Sequence, residues 1–529
     1  EGESAKPIYL YINNDKVECR DASAIWGQGT YRSASMLAQE TRPDVSIGTI
    51  GPAGENGVPM SNMMVDRSHS AGGIGSIMGK KKLKALVVWG DGAVHIAASP
   101  KQWEELVDQH RSILGAHTQS IVPRNPSPLH EYYTPASRWS AYPGAVWGAA
   151  NPPVTITEKA MDPHDLNHIG YRTCSSEFYL GKGMWQYTVR STGCYACPIR
   201  CYSVIRDDHT AQKYGIQKIT EQTCMPLYGR WWFPKLVSDL KSDVAREANL
   251  VGVQTIDDIW CNYGQLHRDF RVMYQKGLWQ KVLPKEEYES IDWNKIENPD
   301  PSIFKDILPR IAYRKGEFGR WLGETTPVWL KHFGMTEEEW QKEGKALYWA
   351  VGHTKHHSNE NDGQIGVVLN CMYNRDPMCH AHINFSTSGL PLELQKKIAA
   401  KFWGDESAVD GIKDYRPTSR AKMVRLRWCI ARKELHDMLG ICSWTAPWEL
   451  SPLREKGYIG DIEMESKVFS AVTGIQMTQD ELDKAGLRAF IMQRLYTMRQ
   501  LKNRDMRHVH DRYPEWIFHD AKGRKPFTK

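Results

Sequence analysis

The chain has 529 residues, of which 41% are hydrophobic and 25% charged, with a net charge of +6 at neutral pH. These proportions are typical of a soluble globular protein, and the length predicts two or three lobes rather than one core. No basic run alternates with aromatic residues, and no apolar stretch is long enough to span a bilayer, so we expect neither nucleic acid nor membrane as a partner. Eleven thinly spread cysteines, an odd number, favour a reducing, cytoplasmic location over a disulfide framework.

The first predicted element is a β-hairpin over residues 8–20, where apolar and polar residues alternate on both sides of a turn at 13–15. Residues 45–52 and 84–89 predict further strands, and in this region we expect helix only around 73–82. The sequence therefore begins with a β-rich lobe. Because it does not start with methionine, we expect that a natural N-terminal stretch is missing from it.

A glycine-rich segment, "AGGIGSIMGKKKLKALVV", lies near the end of this lobe. Bare backbone N–H groups at a helix start can bind an anion. Ile74 and Lys81 exclude a nucleotide-hydrolase phosphate loop, which needs glycine and Ser or Thr at those places. No strand run directly precedes the glycines, as a dinucleotide fingerprint requires. A glycine hinge and a cofactor phosphate site both remain open, and we interpret the basic run around Lys80–Lys84 as a solvated helix end.

From Ser99 onward the pattern is mostly helical. Ser99 is a predicted N-cap, with proline at the first helical position. Thr478 and Glu481 predict a capping box for the clearest helix. Long helical patterns occupy residues 236–248, 257–276, 394–403, 420–439 and 479–501. On the last of these we expect one apolar face, formed by Leu487, Phe490, Ile491, Leu495, Met498 and Leu501. We expect three regions: a β-rich lobe over 1–98 and mostly helical lobes over 99–320 and 321–529.

Three of the eleven cysteines are clustered in "GCYACPIRC", where Cys194, Cys197 and Cys201 have C-x2-C-x3-C spacing. Three thiolates at this spacing can converge on one compact metal centre. A structural zinc site also uses C-x2-C but usually adds a second pair, and none follows here, so the spacing favours an iron–sulfur cluster. Spacing alone leaves the fourth ligand open among Cys174, Cys224, Cys261, Cys371, Cys379, Cys429 and Cys442.

Together with "HDMLGIC" at 436–442, these two segments resemble, in the same order, three motifs of the aldehyde:ferredoxin oxidoreductase superfamily. The resemblance implies an α+β, aldehyde ferredoxin oxidoreductase-like fold, with a β-rich N-terminal lobe plus two mostly helical lobes enclosing the cofactor. It implies a [4Fe–4S] cluster and a tungsten (or molybdenum) bis-pterin, with Cys442 as the fourth cluster ligand. The cofactor-binding residues it implies are Arg67, Ser70, Gly72, Gly73, Gly75, Asn249, Asp437, Leu439 and Gly440.

Within that superfamily, residues 1–90 most resemble the tungsten subunit of class II benzoyl-CoA reductase. The reductase's metal-ligating cysteine corresponds to Lys218, with Cys224 a substitute only if the backbone is rearranged. Its active-site histidine corresponds to Ser140, and the aspartate of its first D-x-x-G motif to Asn249. These departures weaken a prediction of ring reduction.

Candidate catalytic groups come from the same resemblance. "YNRDPMCHAHINF" resembles a segment that approaches the metal, which makes His380, and then His382, candidate proton donors or acceptors. A structural histidine pair on a strand is the alternative. Glu221 lies where the family tends to place a carboxylate near the metal, although a lone glutamate is more often on the surface. The histidines of "HTKHHSNEND" at 353–362 are interpreted as solvated residues of a loop.

The sequence thus predicts an oligomeric, anaerobic oxidoreductase that performs low-potential two-electron chemistry of the aldehyde/carboxylate type. Electrons would pass to or from ferredoxin or an iron–sulfur partner subunit. One alternative is a subunit of an aromatic acyl-CoA ring reductase. The alternative of another class is a non-catalytic electron-relay protein that retains only the cluster.

Overall fold

The computed structural model describes two compact units, Glu1–Ala93 with Glu177–Leu347 and Val94–Ser176 with Tyr348–Lys529. The predicted division at residues 98 and 320 remains a prediction. The described residues are 2–66, 69–72, 74–114, 187–192, 202–222, 232–236, 243–260, 265–324, 326–336, 368–369, 371–372, 392–410, 419–441 and 459–511.

The strands of the described residues form two sheets, both in the first unit. They are β1 (Ile8–Asn13), β2 (Lys16–Asp21), β3 (Ser46–Ile50), β4 (Asn62–Val65), β5 (His69–Gly72), β6 (Leu83–Trp89), β7 (Thr188–Thr192), β8 (Tyr202–Arg206) and β9 (Ile219–Gln222). The larger sheet has the order β2-β1-β6-β3-β4-β5, and the smaller one β7-β8-β9. β1 and β6 run parallel, whereas β1 and β2 form the predicted antiparallel hairpin. Asn14 has φ 51° in its turn, which confirms the left-handed backbone expected there.

The α-helices of the described residues are α1 (Thr30–Glu40), α2 (Pro52–Glu55), α3 (Gly75–Lys80), α4 (Pro100–Leu114), α5 (Asp208–Tyr214), α6 (Asp243–Thr255), α7 (Asp257–Trp260), α8 (Gln265–Gln275), α9 (Leu278–Val282), α10 (Lys285–Glu289), α11 (Asn294–Glu297), α12 (Phe304–Ala312), α13 (Gly316–Leu322), α14 (Thr326–His332), α15 (Leu392–Trp403), α16 (Arg420–Leu439), α17 (Met464–Thr473), α18 (Gln479–Leu501) and α19 (Met506–Val509). Short 3-10 helices lie at Pro234–Leu236, Pro301–Ile303 and Glu406–Val409. None of these helices is long and apolar enough to cross a bilayer.

The expectation that residues 73–82 hold the only helix of the N-terminal lobe was wrong. α3 does lie there, but α1 and α2 precede it. The buried face of α1 consists of Thr30, Ser33, Ala34 and Leu37, spaced one helical turn apart. Three of these four side chains are small or polar, so the face lacks the strong apolar periodicity by which an amphipathic helix is recognised.

Aromatic side chains form the core of the helical part of the first unit. The ring of Trp232 lies 4.9 Å from that of Phe270 and 5.4 Å from that of Phe304, measured between centroids. All three side chains are fully buried. Trp279 adds a further ring 6.1 Å from Phe270. These two tryptophans are therefore packing residues of the core.

In the second unit, α16 packs against α18. Both helices have the predicted bounds, and the capping box of Thr478 with Glu481 is present. The predicted apolar face of α18 is only partly correct. Phe490 is buried, but Ile491, Leu495 and Leu501 are 55%, 58% and 45% exposed. Small residues also form part of the contact between α18 and α16, since a Cβ on Gly486 would collide with the carbonyl oxygen of Ala431.

Candidate functional site

The glycine segment lies at one edge of the larger sheet, where β5 is the last strand. β5 contains Ser70 and Gly72, and it pairs with β4 in the register Asn62↔Gly72. Arg67 and Gly73 lie outside the described residues. Two of the predicted cofactor-binding positions are therefore on the last strand of the sheet, shortly before the start of α3.

α3 packs unusually closely on its neighbours because of two glycines. The N–H of Gly75 donates to the Ser61 carbonyl at 3.2 Å, and a Cβ on Gly75 would lie 2.6 Å from the Ser61 hydroxyl. A Cβ on Gly79 would overlap the carbonyl oxygen of Gly54 in α2. These glycines thus allow α3 to contact α2 and β4 directly. A role for Gly75 in cofactor binding remains a prediction, and its N–H is already occupied by protein.

Ser61 and Asn62 are buried polar residues beside this segment. Ser61 is 0% exposed and Asn62 is 1% exposed. Neither the Ser61 hydroxyl nor the two polar atoms of the Asn62 amide has a hydrogen-bond partner among the described residues. Unsatisfied buried polar atoms are costly and are usually satisfied by a ligand, an ion or water. A hydroxyl and an amide supply both donors and acceptors, which fits the edge of a pterin. Sequence reasoning missed both residues.

The three-cysteine motif falls between two paired strands. β7 and β8 are antiparallel, and Thr192 pairs with Tyr202. Cys194, Cys197 and Cys201 therefore belong to the connection of a β-hairpin, although they lie outside the described residues themselves. The strand pairing brings the two ends of this connection together, as a site formed from one short segment requires.

Lys218, which corresponds to the reductase's metal-ligating cysteine, lies directly before β9. Lys218 is exposed and its carbonyl accepts from the N–H of Asp207 at 3.0 Å. The backbone of Glu221 pairs with Val204 in β8. Cys224, Ser140, His380 and His382 lie outside the described residues, as does the histidine-rich loop at 353–362. The catalytic assignments of Glu221, His380 and His382 remain predictions.

Asn249 is on α6 and is 1% exposed, and the same helix takes part in a buried charged network. One turn earlier, Nε of Arg246 lies 2.9 Å from Oδ2 of Asp207. Burial opposes ionisation of Asp207, but hydrogen bonds from Thr210 and Arg246 hold its pKa below the ordinary value. The network fixes α6 against the turn before α5, and so fixes the position of Asn249.

The C-terminal end of α16 carries the third motif. Nζ of Lys433 lies 2.5 Å from Oδ2 of Asp437, whose side chain is 39% exposed. Leu439 is half-buried, and Gly440 closes the helix with φ +67°. A left-handed residue at this position is the usual reason for a C-terminal glycine. Cys442, two residues on, lies outside the described residues. Asp437 thus offers a carboxylate that is held in place and still partly accessible.

A buried ionic network lies beside this end of α16. Nε2 of His436 lies 2.8 Å from Oε1 of Glu465, and Nη1 of Arg432 lies 2.7 Å from Oε2 of the same carboxylate. Arg432 also pairs with Asp483 at 2.8 Å. Burial opposes ionisation of Glu465, but the charges of Arg432 and His436 lower its pKa. The network joins α16 to α17 and α18.

Two of the cysteines left open by spacing are placed in the structure. Cys429 is buried in the hydrophobic core of the second unit. Burial raises the pKa of the Cys371 thiol, which keeps it protonated at neutral pH. Among the described residues, no three His, Cys, Asp or Glu side chains are grouped so as to hold a metal ion.

Comparisons with known proteins agree with the three motifs. Residues 1–90 match the family "Aldehyde ferredoxin oxidoreductase, N-terminal domain", and residues 148–528 match "Aldehyde ferredoxin oxidoreductase, domains 2 & 3". The tungsten-containing aldehyde ferredoxin oxidoreductase of Pyrococcus furiosus is 33% identical over 210 residues, 39% of this chain and 31% of that protein. The Pyrococcus horikoshii protein of the same description is 30% identical over 270 residues, 44% of this chain and 41% of that protein. The matches thus span less than half of each of these relatives.

A further relative is the aliphatic sulfonate oxidoreductase, WOR-like subunit, of Pyrococcus furiosus, 35% identical over 106 residues, or 17% of each chain. The solved active site complex BamBC of benzoyl coenzyme A reductase, in complex with 1,5 dienoyl-CoA, has a TM-score of 0.63 and 20% identity. It covers 99% of this chain and 76% of that chain. This likeness extends over the whole fold and confirms the predicted fold class. By the two family matches, which together span both ends of the sequence, the chain belongs to the aldehyde ferredoxin oxidoreductase family.

Proposed function

We propose that the chain is the catalytic subunit of an anaerobic oxidoreductase that holds a tungsten bis-pterin and one [4Fe–4S] cluster. The observation that carries this proposal is the pair of family matches together with the structure found within them. Residues 1–90 contain a glycine segment beside unsatisfied buried polar atoms, and residues 148–528 contain a helix that carries Asp437 in its last turn and ends at Leu439, with Gly440 as its C-cap, just before Cys442.

The residues that would hold the pterins are of two kinds. Ser61 and Asn62 offer a hydroxyl and an amide beside the glycine segment, and the backbone of β5 offers further polar groups. Asp437 offers a carboxylate that can accept two hydrogen bonds from an amino-pyrimidine edge. When bound, a tungsten–pterin centre supplies two-electron redox chemistry at low potential. Asn249 would stand where the family has an aspartate, and an amide there donates as well as accepts.

The residues that would hold the cluster are Cys194, Cys197, Cys201 and Cys442. Three come from the connection between β7 and β8, and one follows the C-terminal end of α16. Such a cluster carries single electrons to a partner, for which we propose ferredoxin or an iron–sulfur subunit. Two relatives support a protein partner of this kind: the aldehyde ferredoxin oxidoreductase, whose name includes ferredoxin, and the aliphatic sulfonate oxidoreductase, which is described as a subunit.

Proton transfer is proposed for His380, with His382 and Glu221 as further candidates. A histidine suits the task because its ordinary pKa lies near neutrality. Lys218 is exposed, so it is a poor candidate for a ligand in a water-poor cavity. The ligand to the pterin metal is then either Cys224 or none from this segment.

For the reaction we propose interconversion of aldehyde and carboxylate, which the names of the curated relatives support. Reduction of an aromatic acyl-CoA is the second candidate, supported by the likeness of fold to the benzoyl coenzyme A reductase complex. The test is to purify the chain anaerobically and measure two reactions: reduction of a viologen dye by a panel of aldehydes, and loss of the aromatic absorbance of benzoyl-CoA with a reduced dye. Aldehyde-dependent dye reduction supports the first candidate. Dearomatisation without aldehyde oxidation supports the second and overturns the first.

The electron-relay alternative is distinguished in the same preparation. A relay protein would exchange electrons with dyes through its cluster but would transform neither substrate. Iron without tungsten would accompany that outcome.

A further inference from the structure

Two consecutive aspartates begin α7, and each caps the N-terminus of another helix. Asp257 is 5% exposed and Asp258 is fully buried. The Asp257 carboxylate accepts from the N–H groups of Thr30 at 3.1 Å and Tyr31 at 3.2 Å, at the start of α1. The helix start carries a partial positive charge, and its first N–H groups have no partner within the helix. Asp257 therefore holds α1 to α7.

Asp258 caps α2 in the same way. Its Oδ2 accepts from the N–H groups of Gly51 at 3.0 Å and Gly54 at 2.7 Å. Its Oδ1 has only the longer contact with the N–H of Ala53, at 3.3 Å. The two oxygens are thus unequal, and Oδ1 is the one that can carry a proton with the smaller loss of hydrogen bonding.

The two carboxylates face a common point at Gly51. A Cβ on Gly51 would lie 2.8 Å from Oδ1 of Asp258 and 3.1 Å from Oδ1 of Asp257. Only glycine fits here, and both carboxylates border the space that a Cβ would occupy. Two carboxylates in one dry place cannot both ionise readily, so such a pair tends to share one proton.

Among the described residues, no basic side chain donates a hydrogen bond to this pair. The titratable groups of the described residues that act on Asp258 are Asp257 on its own helix, Lys84 on β6 and Tyr313 after α12, and Glu55 on α2 pairs with Lys84. The Lys84 ammonium donates to Glu55 at 2.5 Å and to the carbonyls of Ile50 at 2.6 Å and Gln28 at 2.8 Å. All three of its protons are thereby used elsewhere.

The electrostatics agree with this geometry. Burial, and then the neighbouring Asp257 charge, raise the pKa of Asp258 to about 7. Burial also raises the pKa of Asp257. The pair therefore gains a proton within the physiological pH range, unlike an ordinary carboxylate.

α2 transmits the state of this pair to the glycine segment. A Cβ on Gly54 would lie 3.1 Å from the carbonyl oxygen of Gly75, and Gly79 fits directly against the Gly54 carbonyl. α2 and α3 thus meet backbone to backbone, with no flexible side chain between them. A displacement of α2 must move α3 as well.

We propose that Asp257 and Asp258 form a proton-dependent latch: with one proton bound, the pair holds α2 and hence α3 in place, and loss of that proton loosens both. The latch stands on the contacts of the first unit alone. Its consequence for cofactor retention is a hold on the glycine segment that weakens as the pH rises towards neutrality, and this consequence rests on the proposed function.

Linkage fixes the sign of the effect. When α2 opens, Asp258 reaches water and its pKa returns towards the ordinary value, so opening releases the proton. Opening therefore becomes easier as the pH rises towards the folded-state pKa and levels off above it, by up to about tenfold per pH unit between about pH 5 and about pH 7. Protection of the α2 and α3 amides against hydrogen exchange measures this opening.

The test is hydrogen exchange of the full chain across that range, corrected for intrinsic exchange rates, on the wild type, Asp258→Asn and Asp292→Asn. Asp292 is a carboxylate with 54% of its side chain exposed, and its variant serves as the control. The wild type and Asp292→Asn should lose protection at α2 and α3 as the pH rises, and Asp258→Asn should not. Equal pH dependence in all three proteins, or none in the wild type, overturns the latch.

If Asp258→Asn fails to fold, the wild type alone decides the matter through infrared spectroscopy. A carboxylic acid carbonyl band that disappears only near neutral pH supports the shared proton, and its absence overturns it. Neither readout needs tungsten or substrate. A chain without tungsten would therefore contradict the proposed function while leaving the latch standing.

Discussion

The ammonium nitrogen of Lys84 lies 2.5 Å from Oε1 of Glu55, and neither side chain is more than 2% exposed. This buried ion pair joins β6, a central strand of the larger sheet, to α2. α2 in turn packs against α3, the helix of the glycine segment. Burial raises the pKa of Glu55, and the charge of Lys84 opposes that rise. The pair is thus part of the support of the candidate site, and sequence reasoning placed Lys84 in a solvated basic run.

Replacing Lys84 should therefore destabilise the first unit strongly. Lys84→Met keeps most of the side-chain volume but leaves Glu55 and two carbonyls without their donor. Breaking one partner of a buried pair costs about 3–5 kcal/mol in the free energy of unfolding. Denaturant titration measures the loss. Lys6→Met is the control, because Lys6 pairs with Asp21 on the surface and should change the midpoint little. Equal effects of the two substitutions would show that the buried pair has no special importance.

Asn62 offers a separate test of the cofactor site. If the unsatisfied Asn62 amide does not contact the cofactor, then Asn62→Leu only removes a buried polar group and should leave the amount of bound cofactor unchanged. We expect instead that the variant folds with unchanged or higher stability and loses most of its pterin. Pterin released on denaturation can be quantified by fluorescence. Asn298→Ala, at an exposed asparagine, is the control. Full pterin content in Asn62→Leu would remove Asn62 from the site.

The fourth cluster ligand can be tested by two alanine substitutions. Cys442→Ala should lower the iron content and bleach the cluster absorbance, because a [4Fe–4S] cluster needs four thiolates for full stability. Cys429→Ala should retain both, since Cys429 is a core residue on α16, the helix that precedes Cys442 in the sequence. Iron analysis of the two anaerobically purified proteins makes the comparison. Loss of iron in Cys429→Ala alone would reverse the assignment.

The network below Asp437 predicts a pH-dependent stability. The pKa of Glu465 is lowered from 4.5, so its contribution is present above that value and is lost as the pH falls through the lowered pKa. Glu465→Gln removes the carboxylate that Arg432 and His436 share and leaves Arg432 with Asp483 alone, so it should cost about 3–5 kcal/mol at neutral pH. The difference from wild type should shrink in acid. Urea titrations at several pH values measure it, with the exposed Glu297→Gln as control. A difference that does not change with pH would contradict the ion pair.

Elements with strong local signals could be predicted from the sequence. The hairpin at β1 and β2 follows from alternation and its turn, and α18 follows from the capping box at Thr478. α1 could not, because its buried face uses Thr, Ser and Ala, which also occur in loops and on surfaces. The opposite error occurred in α18, where apolar side chains such as Ile491 and Leu495 were predicted to be buried but are exposed. Apolar periodicity does not say which side of a helix is covered when small residues provide the packing.

The candidate site divides in the same way. The cysteine spacing and the motif at Asp437 are local patterns, so the sequence suffices to find them. Ser61, Asn62 and the pair Asp257–Asp258 become noticeable only when distant segments meet: Asp258, for example, caps a helix more than two hundred residues earlier in the chain. No local pattern records such a contact.

The metal content of the anaerobically purified chain tests the central claim most directly. A tungsten bis-pterin oxidoreductase with one [4Fe–4S] cluster predicts about four irons and one tungsten per chain, with the broad visible absorbance of an iron–sulfur cluster. One zinc per chain, with no iron, no tungsten and no visible absorbance, would contradict it.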